Sequence, residues 1–104
     1  MVNDTYSITL QTPMGREQGL LTLQEKDGVL SGSIQTKGRV NRFDAGRCAV
    51  SEHGGMRFSF QGILSLGFIK IPYTARGTVQ GDTLKAVADT RYGSFPFQGK
   101  RRNG

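Results

Sequence analysis

The chain has 104 residues, a net charge of +6 at pH 7, a single cysteine and no tryptophan. This length suits one domain with a single core, and one cysteine excludes an intramolecular disulfide. No apolar stretch approaches the ~20 residues that a membrane-spanning helix requires. Residues 1–4 resemble no secretory leader, so we expect a cytoplasmic protein without a membrane partner.

The first third of the sequence predicts three strands joined by tight turns. Apolar and polar side chains alternate over residues 6–11, 19–24 and 29–36. Alternation with a period of two is typical of a strand that buries one face. Residues 12–15 form a Pro-Gly-containing turn signal, and Asp27 with Gly28, between two apolar runs, is a strong hairpin signal.

The middle of the sequence is less regular. Residues 39–50 alternate until Gly46, which we interpret as a bulge or break. A turn at 53–55 precedes Met56, Phe58 and Phe60, which share one face. Residues 62–67 are interpreted as a bend or connection, and residues 69–79 as a long strand.

The last third contains one ambiguous segment. Residues 82–90 carry a helix-cap signal and two alanines, which fit a short helix. Leu84, Ala86 and Ala88 also alternate, and this alternation favours a strand. Residues 95–101 are the last predicted strand, in which Pro96 must point its missing amide hydrogen away from a ladder.

The whole pattern predicts an all-β fold. Sequential hairpins with one apolar face favour an antiparallel up-and-down closed β-barrel of about eight strands, because closure removes the exposed edges. We expect one barrel domain over residues 1–104, with frayed ends at 1–4 and 102–104.

The predicted barrel interior is the main candidate site. Eight strands enclose a space that side chains fill or that holds one small ligand. Tyr73 would supply a hydroxyl there, and Arg101 could pair with a ligand carboxylate at a mouth of the barrel. The alternative is a packed core, with the Tyr73 hydroxyl and Arg101 both reaching water. The candidate ligand-binding residues are Tyr6, Phe58, Phe60, Tyr73, Phe97 and Arg101.

Catalytic and metal sites lack the required residue sets. His53 is the only histidine, and it lies in a polar turn. Ser65 lacks the spacing of a nucleophile elbow. Cys48 with Asp44, Glu52 and His53 lacks the paired spacing of a structural zinc site. The sequence therefore predicts a protein that is not an enzyme and has no metal site and no cofactor.

Charge is unevenly distributed along the chain. Residues 1–36 carry a net charge of −2, and the chain from Lys37 onward carries +8. Arg39, Arg42, Arg47 and Arg57, interleaved with Phe43 and Phe58, could contact single-stranded nucleic acid. The plainer interpretation is that these arginines are solvated.

Several turn and strand motifs resemble a group of small bacterial β-barrel proteins of unassigned activity. The matching segments are 12–15, 19–23, 27–34, 81–84 and 93–101. The resemblance implies a module that stands alone or is appended to larger proteins, including flavin oxidoreductases. The expected architecture is similar to that of lipocalins and avidins. The chain departs from both families because it has no tryptophan. Arg91 and Tyr92 also lack the Arg-x-Tyr spacing of intracellular fatty-acid-binding proteins.

These observations predict a non-enzymatic binding module. The expected ligand is a small apolar or carboxylated molecule held inside the barrel. The alternative is an interaction or nucleic-acid-binding module that uses the basic outer surface from Lys37 onward. A homodimer is a further expectation for its assembly.

Overall fold

The computed structural model describes residues 2–12, 15–36, 39–50, 54–66 and 68–102. Eight strands follow one another along the chain: β1 Val2–Thr12, β2 Gly15–Lys26, β3 Val29–Thr36, β4 Arg39–Val50, β5 Met56–Leu66, β6 Ile69–Gln80, β7 Thr83–Thr90 and β8 Gly93–Arg101. β1 already begins at Val2, so residues 2–4, which we expected to be frayed, belong to the first strand.

Each strand pairs antiparallel with its neighbours in sequence, and β8 pairs with β1. The closing ladder runs from Tyr6 opposite Arg101 to Leu10 opposite Phe97. The predicted antiparallel up-and-down closed barrel is therefore confirmed. Closure gives both chain-end strands a partner, so neither presents a free edge.

Side chains that alternate along the strands fill the barrel interior. The buried core comprises Tyr6, Ile8, Leu10, Leu21, Leu23, Leu30, Ile34, Phe43, Phe58, Phe60, Ile71, Tyr73, Ala75, Val79, Leu84, Ala86 and Phe97. Most side chains that alternation placed on the inward face are buried, whereas Met56, Ala88 and Phe95 are half-buried. Ile69, on the same predicted face as Ile71, is exposed.

Three local predictions can now be compared with the structure. The turn at Asp27 and Gly28 has positive φ at both residues, 55° and 80°, as a type I′ hairpin requires. Residues 82–90 form strand β7 rather than a helix. Residues 62–66, interpreted as a bend, instead continue strand β5, because they pair with residues 69–73 of β6.

The β4 irregularity lies beside Gly46. The register against β3 shifts between Leu30 and Gly32, which pair with Gly46 and Phe43. Ala45, inside this bulge, has a φ of 57°, which is uncommon for a residue other than glycine. Because the bulge adds a residue to β4, the inward-facing positions on its two sides are three residues apart and not two. Phe43 and Gly46 are therefore both buried, whereas Asp44 and Ala45 between them are exposed.

The two ends of the barrel differ. We call the end where β5 leads into β6 and β7 into β8 the open end, and the end with the turn at 27–28 the closed end. The β4–β5 ladder covers only residues 47–50 and 56–59, next to the closed end. Towards the open end, β4 and β5 have no register between them. Among the described residues, the backbone ladder between these two strands therefore stops short of the open end, although the strands remain neighbours in the closed barrel.

Candidate functional site

An apolar pocket of about 40 Å³ lies at the open end. A ligand in it would touch only apolar surface, from a wall formed by Ile8, Leu10, Gln11, Ile34, Leu64, Ile71, Tyr73, Ala88, Thr90, Phe95 and Phe97. Pockets that enclose a whole drug-sized ligand have volumes of about 300–1,000 Å³. The pocket therefore has room for the end of an apolar chain but not for an entire larger molecule.

Two of the six candidate ligand-binding residues, Tyr73 and Phe97, line this pocket. Tyr73 points inward from β6 beside Gly62, where a Cβ atom would stand 2.6 Å from the Tyr73 hydroxyl oxygen. The absence of a side chain at Gly62 thus makes room for the Tyr73 ring. Burial raises the pKa of the Tyr73 hydroxyl well above its ordinary value, which keeps it neutral.

Three other candidates, Tyr6, Phe58 and Phe60, lie in the packed core. Phe60 stacks on Phe43 with 3.8 Å between ring centroids, and it meets the edge of Tyr73 at 6.0 Å. The Phe58 ring lies 5.9 Å from the Phe60 ring. These rings fill the middle of the barrel, so the interior is packed there and the pocket is confined to the open end.

The sixth candidate, Arg101, lies at the closed end. Its guanidinium group lies 3.7 Å from carboxylate oxygens of both Asp4 and Asp82, donates to the Gly81 carbonyl at 3.3 Å and covers the ring of Tyr6 at 5.8 Å. Two carboxylates thus already contact Arg101. The structure separates it from the pocket, because the pocket lies towards the opposite end of β8.

Within the described part of the chain, a side-chain bridge joins β4 and β5 beyond the end of their ladder. The backbone amide of Ser65 donates to Asn41 Oδ1 at 3.3 Å, whereas the buried Asn41 Nδ2 has no hydrogen-bond partner among the described residues. Ser65, considered above as a nucleophile, is therefore a strand residue on β5. We call this stretch, residues 39–45 of β4 facing 60–66 of β5, the β4–β5 seam.

The residues considered for a metal site do not come together in the described part of the chain. Cys48 is partly buried and faces Phe58 across the β4–β5 ladder, where burial and, to a smaller extent, Glu25 raise its thiol pKa. Glu52 and His53 lie outside the described residues. The described residues contain no cluster of three His, Cys, Asp or Glu side chains that could hold a metal ion.

The basic set considered for nucleic acid has an exposed part and a buried part. Arg39, Arg42, Arg47 and Arg57 are exposed. Phe43 and Phe58 are only 5% and 4% exposed, so neither ring can stack on a base. These four arginines therefore offer positive charge but no exposed Phe43 or Phe58 ring on which a base could stack.

Sequence reasoning missed the surface around the pocket mouth. Five large apolar side chains at the open end are exposed: Val40, Ile63, Phe68, Ile69 and Tyr92. We call these residues the apolar rim. The apolar run around Gly67 was the available signal, but we interpreted its first part as a connection. Only the register shows that these residues lie at one end of the barrel.

A helix long and apolar enough to cross a membrane is absent from the described residues. Comparisons of the chain with protein-family models, with curated proteins and with solved structures find no match.

Proposed function

We propose that this barrel is a non-enzymatic binding module that accepts the apolar end of a small molecule in its open-end pocket. The observation that carries the proposal is a pocket whose accessible lining is entirely apolar and which opens to solvent. Water in such a pocket lacks the two to four polar partners that hold ordered buried water. An alkyl group would gain about 0.8 kcal/mol for each buried methylene.

The proposal also includes a carboxylated ligand, but with a different cation from the one that we first considered. Arg101 is at the closed end and contacts Asp4 and Asp82. Lys70 and Arg91 lie in or beside the open-end turns and are exposed. A carboxylate on a chain inserted into the pocket would therefore meet these residues at the mouth.

Thermal shift with decanoate and decanol tests this function. A ligand at ten times its Kd stabilises the folded state by about 1.4 kcal/mol, which raises Tm by about 6–10 °C for a domain of this size. At equal concentration, decanoate should give a larger shift than decanol if Lys70 and Arg91 contact its carboxylate. No shift with either compound would overturn the proposal.

Two variants locate the binding site. Ala88→Val adds two methyl groups to the pocket wall, so we expect it to reduce the thermal shift at least fivefold. Leu64→Ala enlarges the same pocket and should retain or increase the shift, which keeps the test valid if the valine variant folds poorly. Arg101→Gln at the closed end is the matched control. Loss of the shift in Arg101→Gln, with retention in Ala88→Val, would contradict an open-end site.

A further inference from the structure

The apolar rim is unusual because its members project from one end of the barrel into solvent. Phe68, in the turn between β5 and β6, is fully exposed (107%). Ile69 follows it at the start of β6, and Tyr92 occupies the turn between β7 and β8. Val40 and Ile63 lie within the β4–β5 seam, on β4 and β5 respectively. Large apolar side chains exposed at one end are typical of a surface that binds a membrane, another protein or a ligand.

Basic side chains surround the same end. Arg16, Arg39, Lys70 and Arg91 lie at or beside the open-end turns, and all four are exposed. The acidic residues nearest to this end are Glu17 and Asp89, and Asp89 is paired with Arg76 at 3.3 Å. Asp4, Glu25, Asp27 and Asp82 lie at the closed end. Among the described residues, the open end is therefore both apolar and cationic, whereas the closed end carries acidic and basic side chains together, the basic ones including Lys26, Lys85 and Lys100.

A partner for this surface must be apolar at its interior and negative at its surface. We propose that the open end docks on an anionic lipid bilayer, with Phe68 and Ile69 inserted at the headgroup–acyl boundary and Tyr92 at headgroup level. Tyrosine rings favour that level, and basic side chains near a negative leaflet each add attraction. This docking replaces the expectation that the protein has no membrane partner. It does not require that the pocket bind a ligand.

Docking would place the pocket mouth against the bilayer. The pocket and the apolar rim share the open end, and Ile71 of the pocket wall is two residues from Ile69 of the rim. An alkyl chain could then pass between bilayer and pocket without being exposed to water. Exposure to water would cost about 0.8 kcal/mol per methylene. This step rests on the proposed function, whereas docking itself does not.

Vesicle co-sedimentation of the full chain tests docking. We expect binding to phosphatidylcholine vesicles that contain about 30% phosphatidylglycerol, weak binding to phosphatidylcholine alone, and loss of most binding near 1 M salt, where the Debye length falls to about 3 Å. No binding to the anionic vesicles at low salt would overturn the proposal.

Two pairs of matched variants separate docking from general charge effects. Arg39→Gln/Lys70→Gln/Arg91→Gln should weaken binding about 100-fold, at about fivefold per charge. Lys26→Gln/Arg57→Gln/Lys85→Gln removes the same charge from exposed sites nearer the closed end and should change binding less than threefold. Phe68→Ser should weaken binding about tenfold, whereas Val50→Ser, 81% exposed at the closed end, should not. Equal losses of vesicle binding within either pair would contradict docking through the open end.

Other occupants give different results in the same experiments. A second copy of the chain on the rim would give a dimer in solution that Phe68→Ser converts to a monomer, without vesicle binding, and that result would overturn the proposal. Tighter binding to oligonucleotides than to the anionic vesicles would also overturn the proposal. Ala88→Val should leave vesicle binding unchanged while reducing the decanoate shift. Failure of docking and failure of the pocket function are thus distinguishable.

Discussion

Tyr73 and Gly62 face each other across the β5–β6 ladder, and each depends on the other. The ring of Tyr73 lies against the backbone of Gly62, where any Cβ atom would overlap the phenol. The edge of the same ring contacts Phe60. One glycine thereby lets an aromatic ring reach both the packed core and the wall of the open-end pocket.

The buried Tyr73 hydroxyl makes stability depend on alkaline pH. In the unfolded chain a tyrosine ionises near pH 10, whereas burial raises the pKa of Tyr73 in the folded barrel. This part of the stability is present below pH about 10 and is lost as pH rises towards the folded pKa, by up to about 1.4 kcal/mol per pH unit. Urea unfolding of Tyr73→Phe from pH about 9 to 11 should show a shallower decline than the parent protein.

The matched control for this pH effect is Tyr92→Phe, because Tyr92 is exposed in a turn. The free energy of unfolding of Tyr92→Phe should decline with rising pH as steeply as that of the parent protein. If Tyr73→Phe also kept the full decline, another group would carry the alkaline sensitivity, and the burial of the Tyr73 hydroxyl would have no energetic consequence.

Alternation was sufficient to identify individual inward residues. It did not show whether each residue lies nearer the open end or the closed end of the barrel. Arg101 does share a face with Phe97, as the period of two predicts. Its position at the closed end follows from its place at the end of β8, which runs antiparallel to β1 and finishes beside Tyr6. Phe43 was not placed in the core because the bulge at Ala45 interrupts the period beside it. Local pattern cannot supply either fact, since both depend on pairing with another strand.

Strand β5 shows how a glycine can mislead an assignment of elements. Gly62 and Gly67 suggested a bend between them, because glycine in a strand pattern is a common breaker. In the structure Gly62 stays in register with Tyr73, and the strand continues to Leu66. The glycine is needed for the opposing side chain and does not end the element. From the sequence alone, these two roles of glycine look the same.

The β4–β5 seam should be the least protected part of the wall. Its residues lack a ladder between the two strands, and the described bridge is the bond from the Ser65 amide to Asn41. We expect hydrogen exchange at Asn41–Ala45 amides that face β5 to be at least 100-fold faster than at the paired amides between β5 and β6. Amide exchange by NMR measures this difference directly.

Asn41→Ala tests whether the side-chain bridge matters to the seam. Loss of one hydrogen bond should cost about 1 kcal/mol, speed exchange of the Ser65 amide and leave the β6–β7 amides unchanged. Ser33→Ala, at a polar residue of similar burial on the neighbouring strand β3, is the control. Uniform protection along β4, including residues that have no partner in β5, would show that the seam is closed in solution.

At the scale of the whole molecule, a single-layer barrel has one core that every strand shares. The order of strands was predictable because each hairpin joins neighbours, and closure followed from the need to cover two edges. The difference between the two ends was not predictable in the same way. It depends on how far each ladder extends, and hence on the register of all eight strands together. The pocket, the seam and the apolar rim all follow from that register.

We expect closure to make the barrel one cooperative unit, and Gly99 in the closing ladder is the place to test this. A Cβ atom there would overlap the Ser7 carbonyl oxygen on β1 and would stand 2.7 Å from Ile8 Cγ2. Because the nearest atom is backbone, β1 and β8 must shift apart, and we expect Gly99→Ala to cost about 2–3 kcal/mol. Urea unfolding measures this loss, and Gln98→Ala, on the exposed face of β8, should change stability by less than about 0.5 kcal/mol.

Amide exchange then shows how far the damage spreads. Phe58 and Phe60 lie on β5, which is separated from the closing ladder by two strands on one side and three on the other in the barrel order. If loss of closure unfolds the whole barrel, their amides should lose protection by the same free energy as the global unfolding measurement. If faster exchange stayed within β1 and β8, the chain could hold an open sheet without its closing ladder. The packed interior would then be stabilised by local hairpins rather than by closure.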